Sequence, residues 1–402
     1  MSRDSDSAQA LRLVAAGLIS LAVAMGIGRF AFTPLLPLML RDGQLDPASG
    51  AQWAMANYIG YLIGALTSAR VAADPRRATL VGLAGVSLFT FAVGCVPDNA
   101  LAVVGPILRG AAGICSAWVL VGSSGWCLIA LAKAGQAALA AWIYTGVGVG
   151  IAGAGLIAWL GGMQPAHWLW LELGAVAALG AALTVRMAGK THHATEHPSG
   201  KPANPRPPPD HNTGRHSDLQ LILCYGAFGY GYIVLATYLP AMAQQGVDDP
   251  LVFGLTWPIF GLAAAGSVAI SAKWGSSVSR ERVWALAQTA MAIGTALPLL
   301  SVALGALILS AMMVGGTFMV ATMAGLQLAR ERHPDDPTAL VARMTIAFAS
   351  GQIAGPLVIW ALTAMPTLAP DALHWANLIA TVLLSGSAAW LWRAQADASP
   401  RS

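Results

Sequence analysis

Met25-Gly-Ile-Gly-Arg-Phe-Ala-Phe-Thr-Pro-Leu-Leu-Pro-Leu-Met39 sets a cation, Arg29, and two prolines, Pro34 and Pro37, inside an otherwise apolar run. A cation in hydrocarbon costs roughly 3 kcal/mol or more, so an arginine within a membrane span is by default a candidate functional residue. Proline removes a backbone donor, and its ring clashes with the carbonyl four residues back. This predicts a kinked or unwound outer end for the span. Backbone opened in that way survives at membrane depth only against protein or a water-filled cavity.

The chain of 402 residues is 56% hydrophobic and only 10% charged, with a mean hydropathy of +0.63. Soluble chains carry about 25% charged residues, so this is a polytopic membrane protein. About 20 apolar residues make one span. Twelve such segments can be counted: Leu11–Leu40, Ser49–Val71, Ala78–Val96, Ala100–Ala130, Gln136–Gly162, Ala166–Ala188, Leu219–Gln244, Leu251–Lys273, Val283–Leu304, Ala306–Ala329, Leu340–Met365 and Ala372–Trp392. The division near Gly305 carries no clear turn signal. Ala22-Val-Ala24 has the look of a signal-peptidase site, but the pattern runs through it and recurs later, so cleavage is not expected.

Lys and Arg in the loops orient the spans. With the N-terminus inside, Arg41 is the one outward-facing basic residue, Arg29 and Arg109 lie within spans, and 19 of the 22 (22 − 1 − 2) are cytoplasmic. Both termini are then cytoplasmic, and the net charge of +4 belongs to inner loops rather than to a nucleic-acid surface. The four cysteines, Cys95, Cys115, Cys127 and Cys224, lie in apolar segments without metal-ligand spacing and read as buried thiols. His192, His193, His197, His211 and His216 sit among six prolines between Lys190 and Ser217. No ligand spacing is kept there, so the tract reads as a solvated linker rather than a metal site. The domains are then residues 1–189, a linker 190–217, and residues 218–402.

The two halves repeat. Setting Gly26 on Gly229 (229 − 26 = 203) also superposes Gly28 on Gly231, Leu36 on Leu239, Pro37 on Pro240, Met39 on Met242 and Gly148 on Gly351. His167-Trp168 matches His374-Trp375 at an offset of 207. The recurring glycines and proline predict that the broken-helix geometry is common to both halves, whereas Arg29 falls on Tyr232 and belongs to one half only. Parallel repeats of six spans about an axis along the membrane normal point to an all-α membrane protein: twelve transmembrane helices in two pseudo-symmetric six-helix bundles, the major facilitator fold.

The whole chain resembles a major facilitator superfamily transporter. Gly26-Ile-Gly-Arg-Phe-Ala-Phe-Thr-Pro-Leu-Leu-Pro37 resembles the first-helix pattern of the bacterial YbfB/YjiJ branch, as do Gly351-Gln-Ile-Ala-Gly-Pro356 and Gly315-Gly-Thr-Phe318. Arg109-Gly-Ala-Ala-Gly113 is similar to the fourth-helix motif of proton-coupled members. Ala73-Asp-Pro-Arg-Arg77 is a degraded form of the superfamily gating loop. Gly146-Val-Gly-Val-Gly150 lacks the Gly-Pro of drug antiporters.

The resemblance implies that spans one, four, seven and ten line a central cavity and that spans two, five and eleven help form the interface between halves. Arg29 lies about 25 Å along its helix at 1.5 Å per residue, beyond the midplane. It would offer its planar fork to an anionic or carboxylate-bearing solute, or else snorkel or pair structurally. Substrate-binding or gating candidates are Arg29, Phe32, Pro34, Asn57, Tyr61, Arg109, Tyr232 and Gln352, with Tyr58, Tyr225, Tyr230 and Tyr238 as further cavity candidates. Glu172 and Arg109 are the candidates for proton coupling, although sixth spans in the resembled fold support the bundle rather than line the cavity. Gly146, Gly150, Gly351 and Gly355, with Gly60 and Gly64, are expected at the gliding interface between halves or in static close packing. Trp53, Trp168, Trp274, Trp375 and Trp392 read as interfacial anchors.

No catalytic constellation, phosphate-cradling loop, cofactor motif or metal cluster is apparent, so the chain is not read as an enzyme. The expectation is a secondary active transporter of a small solute in the bacterial inner membrane, acting as a monomer by alternating access, with proton coupling open. The alternatives are a multidrug or metabolite efflux carrier, and a non-transporting polytopic sensor or assembly factor of the same fold.

Overall fold

In hydrocarbon every backbone N–H and C=O must be satisfied within its own segment, so long apolar runs become helices. A computed structural model describes residues 2–71, 74–188, 211–246, 254–274, 279–333 and 336–398. Of the expected linker at 190–217, residues 190–210, and with them His192, His193 and His197, lie outside the described residues, and residues 211–217 begin the helix His211–Gly246.

Among the described residues, twelve helical spans follow one another. Span one is composite: Ser2–Leu21, a π-helical stretch Ala22–Arg29, and Phe32–Arg41. Spans two to six are Pro47–Val71, Pro75–Gly94, Asp98–Lys133, a 3-10 turn Ala137–Tyr144 leading into Thr145–Leu160, and Ala166–Ala188. Spans seven to twelve are His211–Gly246, Thr256–Trp274, Arg280–Leu300, Leu304–Arg332, Thr338–Thr363 and Ala372–Ala398. Ten of the helices are long and apolar enough to cross a bilayer on that ground alone, and Pro47–Val71 and Thr256–Trp274 complete the twelve. This is a multi-pass membrane protein. The division near Gly305 falls at Ser301–Ala303, where Leu300 ends one helix and Leu304 starts the next.

The packing repeats with the sequence. Span two packs on four, three on four and six, and five on one. Likewise eight packs on ten, nine on ten and twelve, and eleven on seven. Between halves, span five meets eight and span two meets eleven, again as a symmetric pair. Spans one and seven also meet through the Phe32–Arg41 segment, whereas spans four and ten share no packed face. Among the described residues the halves therefore meet at the end bearing Pro37 and Gln244, where the Phe32–Arg41 segment packs on span seven.

Several expectations change. The degraded gating loop forms an orderly helix start, in which Asp74 Oδ1 accepts from Arg77 N at 3.0 Å ahead of Pro75. Trp53 is fully buried rather than interfacial, and its ring stacks on Phe32 at 5.8 Å. Cys95 is exposed, while Cys115, Cys127 and Cys224 are buried. Arg41, in the last turn of span one, donates to Gly162 O and Gln164 O and so ties the outer end of that span to the loop before span six.

The glycine series is not at the gliding seam. A Cβ on Gly146 or Gly150 would meet the backbone of Leu18 or Ala22 in span one; Gly351 sits against the backbone of Gly226 and Tyr230 in span seven in the same way, and Gly355 against the side chains of Ile233 and Val234. Gly60 and Gly64 face span four. All of these are packed within a half. The close approach between halves is made by Gly148 of span five against Gly261 and Ala265 of span eight.

Candidate functional site

Span one breaks one turn before its first proline, not at its outer end. The ring of Pro34 excludes an ordinary helical carbonyl at Phe30, four residues back, and it is at Phe30–Ala31 that the helix is interrupted. Phe30 N reaches Met25 O at 3.1 Å, a π-type bond, and Thr33 N turns to Phe30 O at 3.1 Å. Pro37 lies inside a continuous helix. Span seven contradicts the expectation of a shared break: it runs unbroken through Pro240. The discriminating residue is Pro34, whose repeat mate is Thr237.

The opened backbone is served by side chains from two other spans. Arg109 Nη2 donates to Arg29 O at 2.9 Å. Asn57 Nδ2 donates to Gly28 O at 3.2 Å and to Arg109 O at 2.8 Å. Arg109 is 1% exposed, with its guanidinium 5.3 Å from the Trp170 ring and 5.9 Å from that of Phe32. Phe32 is turned into this packing, away from the junction of the halves. Asn57, Arg109, Phe32 and Pro34 thus hold the shape of span one.

The break delivers Arg29 to the junction. Its side chain is 4% exposed and does not snorkel. Arg29 Nη2 donates to Gln352 Oε1 of span eleven at 2.5 Å, and Gln352 Nε2 donates to Tyr232 OH of span seven at 2.5 Å. The guanidinium lies 4.0 Å from the Tyr61 ring centre, a cation–π platform. Tyr232 stacks on Phe318 at 5.4 Å and Phe348 at 5.6 Å, nearly parallel to both. Of the sequence candidates, Arg29, Tyr61, Tyr232 and Gln352 are therefore in direct contact.

Other links between halves lie beside this cluster. Tyr58 OH and Thr237 Oγ1 are 2.7 Å apart, Thr33 Oγ1 donates to Ala236 O at 2.9 Å, and Gln244 Nε2 reaches Pro37 O at 3.4 Å. Thr33 and Ala236 are repeat mates, 203 residues apart. A residue that touches its own mate lies on the pseudo-two-fold axis. Arg29 and Tyr232 are mates too, and they converge on one amide, that of Gln352.

Thr33, Thr237 and Phe348 were not among the sequence candidates. The offset of 203 was the signal that could have found Thr33, because mates near the axis must meet. Tyr225 and Tyr230 are engaged elsewhere, donating to Thr322 O and Ala376 O, whereas the buried Tyr238 hydroxyl has no bonding partner among the described residues. Glu172 is exposed on span six and joins neither arginine. Glu172→Gln is accordingly expected to leave uptake, and its dependence on pH, within about twofold of the wild-type protein. A pH profile flattened by the substitution would instead make Glu172 a proton carrier. Among the described residues, no group of three His, Cys, Asp or Glu could hold a metal ion.

Among solved structures, the chain is similar to the D-xylose-proton symporter, at 15% identity and TM-score 0.69, covering 95% of this chain and 96% of that one. It is similar to the nucleoside transporter NupG at 14% and 0.69, with 96% and 99% covered. A bacterial homolog of the human lysosomal transporter Spinster, inward-facing and unoccupied, matches at 14% and 0.64, with 96% of each chain covered. A search of curated proteins finds no match. The family model described as "Uncharacterised MFS-type transporter YbfB" matches residues 21–390. With the first-helix pattern, twelve spans and repeated packing already in place, the chain belongs to this YbfB family of major facilitator transporters.

Proposed function

We propose that this protein is a secondary active transporter that moves a small anionic or carboxylate-bearing solute by alternating access, held at Arg29. What carries this is the state of that side chain: a guanidinium 4% exposed at the junction of the halves, with no Asp or Glu paired to it among the described residues. A buried cation without a counter-ion is costly, and a solute carboxylate offers the charge the protein withholds. Tyr61 and the Tyr232–Phe318–Phe348 stack supply rigid walls. The span one–seven contacts close one end while spans four and ten stand apart, which fits one half-cycle of rocking. On the distribution of basic residues, the loops bearing Arg70 and Arg332 are cytoplasmic in the bacterial inner membrane, with both termini on that side. The protein acts as a monomer, without nucleic acid.

The test is uptake and efflux of labelled carboxylates and their neutral amides by proteoliposomes containing the full chain. The wild type is expected to move carboxylates with saturation, and Arg29→Ala to lose at least about tenfold in affinity or rate, from loss of one charged hydrogen bond. Carboxylate transport unaltered in Arg29→Ala would remove the role given to Arg29. Transport confined to uncharged solutes would remove the anion.

A further inference from the structure

We propose that Gln352 occupies the seat of the solute's carboxylate, and that the solute is a monocarboxylate with an apolar body which enters by displacing that amide. This rests on the assignment of Arg29 as the anion site.

A primary amide and a carboxylate have the same planar outline, two polar atoms on one carbon. Here the amide's orientation is dictated by its partners. A guanidinium only donates, so Oε1 faces Arg29 and Nε2 faces the oxygen of Tyr232. The amide leaves one neighbour unserved: among the described residues Arg29 Nε is buried without an acceptor. A carboxylate in the same place accepts from Nη2 and from Nε together, the bidentate geometry that guanidinium favours. Tyr232 then rotates its hydroxyl and donates, where it now accepts. Every polar group of the seat is satisfied by a carboxylate and not by the amide.

The charge of the solute follows from the second arginine. Arg109 spends Nη2 on the carbonyl of Arg29 and is framed by Trp170 and Phe32 within its own half. One guanidinium faces the seat, which suits a single carboxylate and disfavours a phosphate dianion or a dicarboxylate. Walls of Tyr61, Phe318 and Phe348 suit an apolar body. Displacing Gln352 frees span eleven from the bridge, which the solute's carboxylate then remakes between Arg29 of span one and Tyr232 of span seven.

The experiment measures binding to the full chain in lipid nanodiscs by intrinsic tryptophan fluorescence, with benzoate, benzamide and inorganic phosphate as probes. The variants are Gln352→Ala, Gln352→Glu and Arg29→Ala. The wild type is expected to bind benzoate at millimolar or lower concentration and to ignore benzamide and phosphate. Gln352→Ala removes the internal competitor and should bind benzoate about threefold or more tightly, since apparent affinity is divided by the fraction of competent seats. Gln352→Glu should lose at least about tenfold, because its own carboxylate fills the seat.

Benzoate affinity lowered in Gln352→Ala, or unaltered in Gln352→Glu, would overturn displacement. Phosphate bound in preference to benzoate, or no benzoate binding at 20 mM (about 2.3 kcal/mol of affinity), would overturn the monocarboxylate. Arg29→Ala separates the two levels. Loss of benzoate binding there, with the Gln352 variants behaving as wild type, overturns displacement alone. Retention of binding there overturns the anion site itself.

Discussion

Gly150→Ala is expected to destabilise the protein by about 3 kcal/mol, while Gly153→Ala on the same helix stabilises it by up to about 1 kcal/mol. Alanine is the better helix former at both places, so propensity alone gives both substitutions the same sign. Packing reverses it at Gly150. A Cβ there would fall 2.6 Å from Ala22 Cα and 2.7 Å from its carbonyl carbon, and Gly26 of span one in turn abuts the Gly150 backbone. Backbone on both sides cannot yield as a side-chain tip can, so the π-helical stretch must move away bodily. A Cβ on Gly153 meets nothing within 4 Å. Thermal melts of the two purified variants, followed by tryptophan fluorescence, decide the matter. Equal melting temperatures would mean that span five does not press on span one as described.

Asn57→Leu is expected to cost about 3 kcal/mol and to impair transport as well. The substitution conserves approximate volume, so its effect reports on hydrogen bonds rather than on a cavity. One amide nitrogen serves two carbonyls, Gly28 O at the broken turn and Arg109 O on span four. Water is scarce at that depth, and a carbonyl deprived of its donor finds no replacement. The loosened turn carries Arg29, so the fall in stability should be accompanied by a weakened affinity for solute. Unfolding in mixed micelles together with uptake in proteoliposomes measures both. Asn57→Leu melting with the wild type would show that the broken turn needs no support from span two.

The fold was legible because membrane architecture is written in composition. Apolar length gives the spans, basic loops give an orientation, and the offset of 203 gives the repeat, which the contacts reproduce span for span. Arg29, Tyr61, Tyr232 and Gln352 could be picked out because polar and aromatic groups at membrane depth are few. Their convergence could not, since it depends on which face of each helix turns inward. The glycines misled for the same reason: spacing shows that a helix is closely approached but not by which neighbour, and Gly146 and Gly351 are approached from within their halves. Proline misled through direction. Its effect falls one turn toward the N-terminus, which places the break at Phe30 beside the arginine rather than beyond it.

The meeting of Thr33 with its own repeat mate has a consequence for the cargo. Groups near the axis come face to face with their counterparts, and two arginines there would confront each other across a single amide. Only one of the pair can be charged. The junction is thereby polarised, with the guanidinium of Arg29 on the first bundle facing the phenol of Tyr232 on the second across one amide. If Arg29 holds the solute as proposed, its carboxylate would keep toward the first bundle whichever face of the membrane is open, and the solute would cross without turning over.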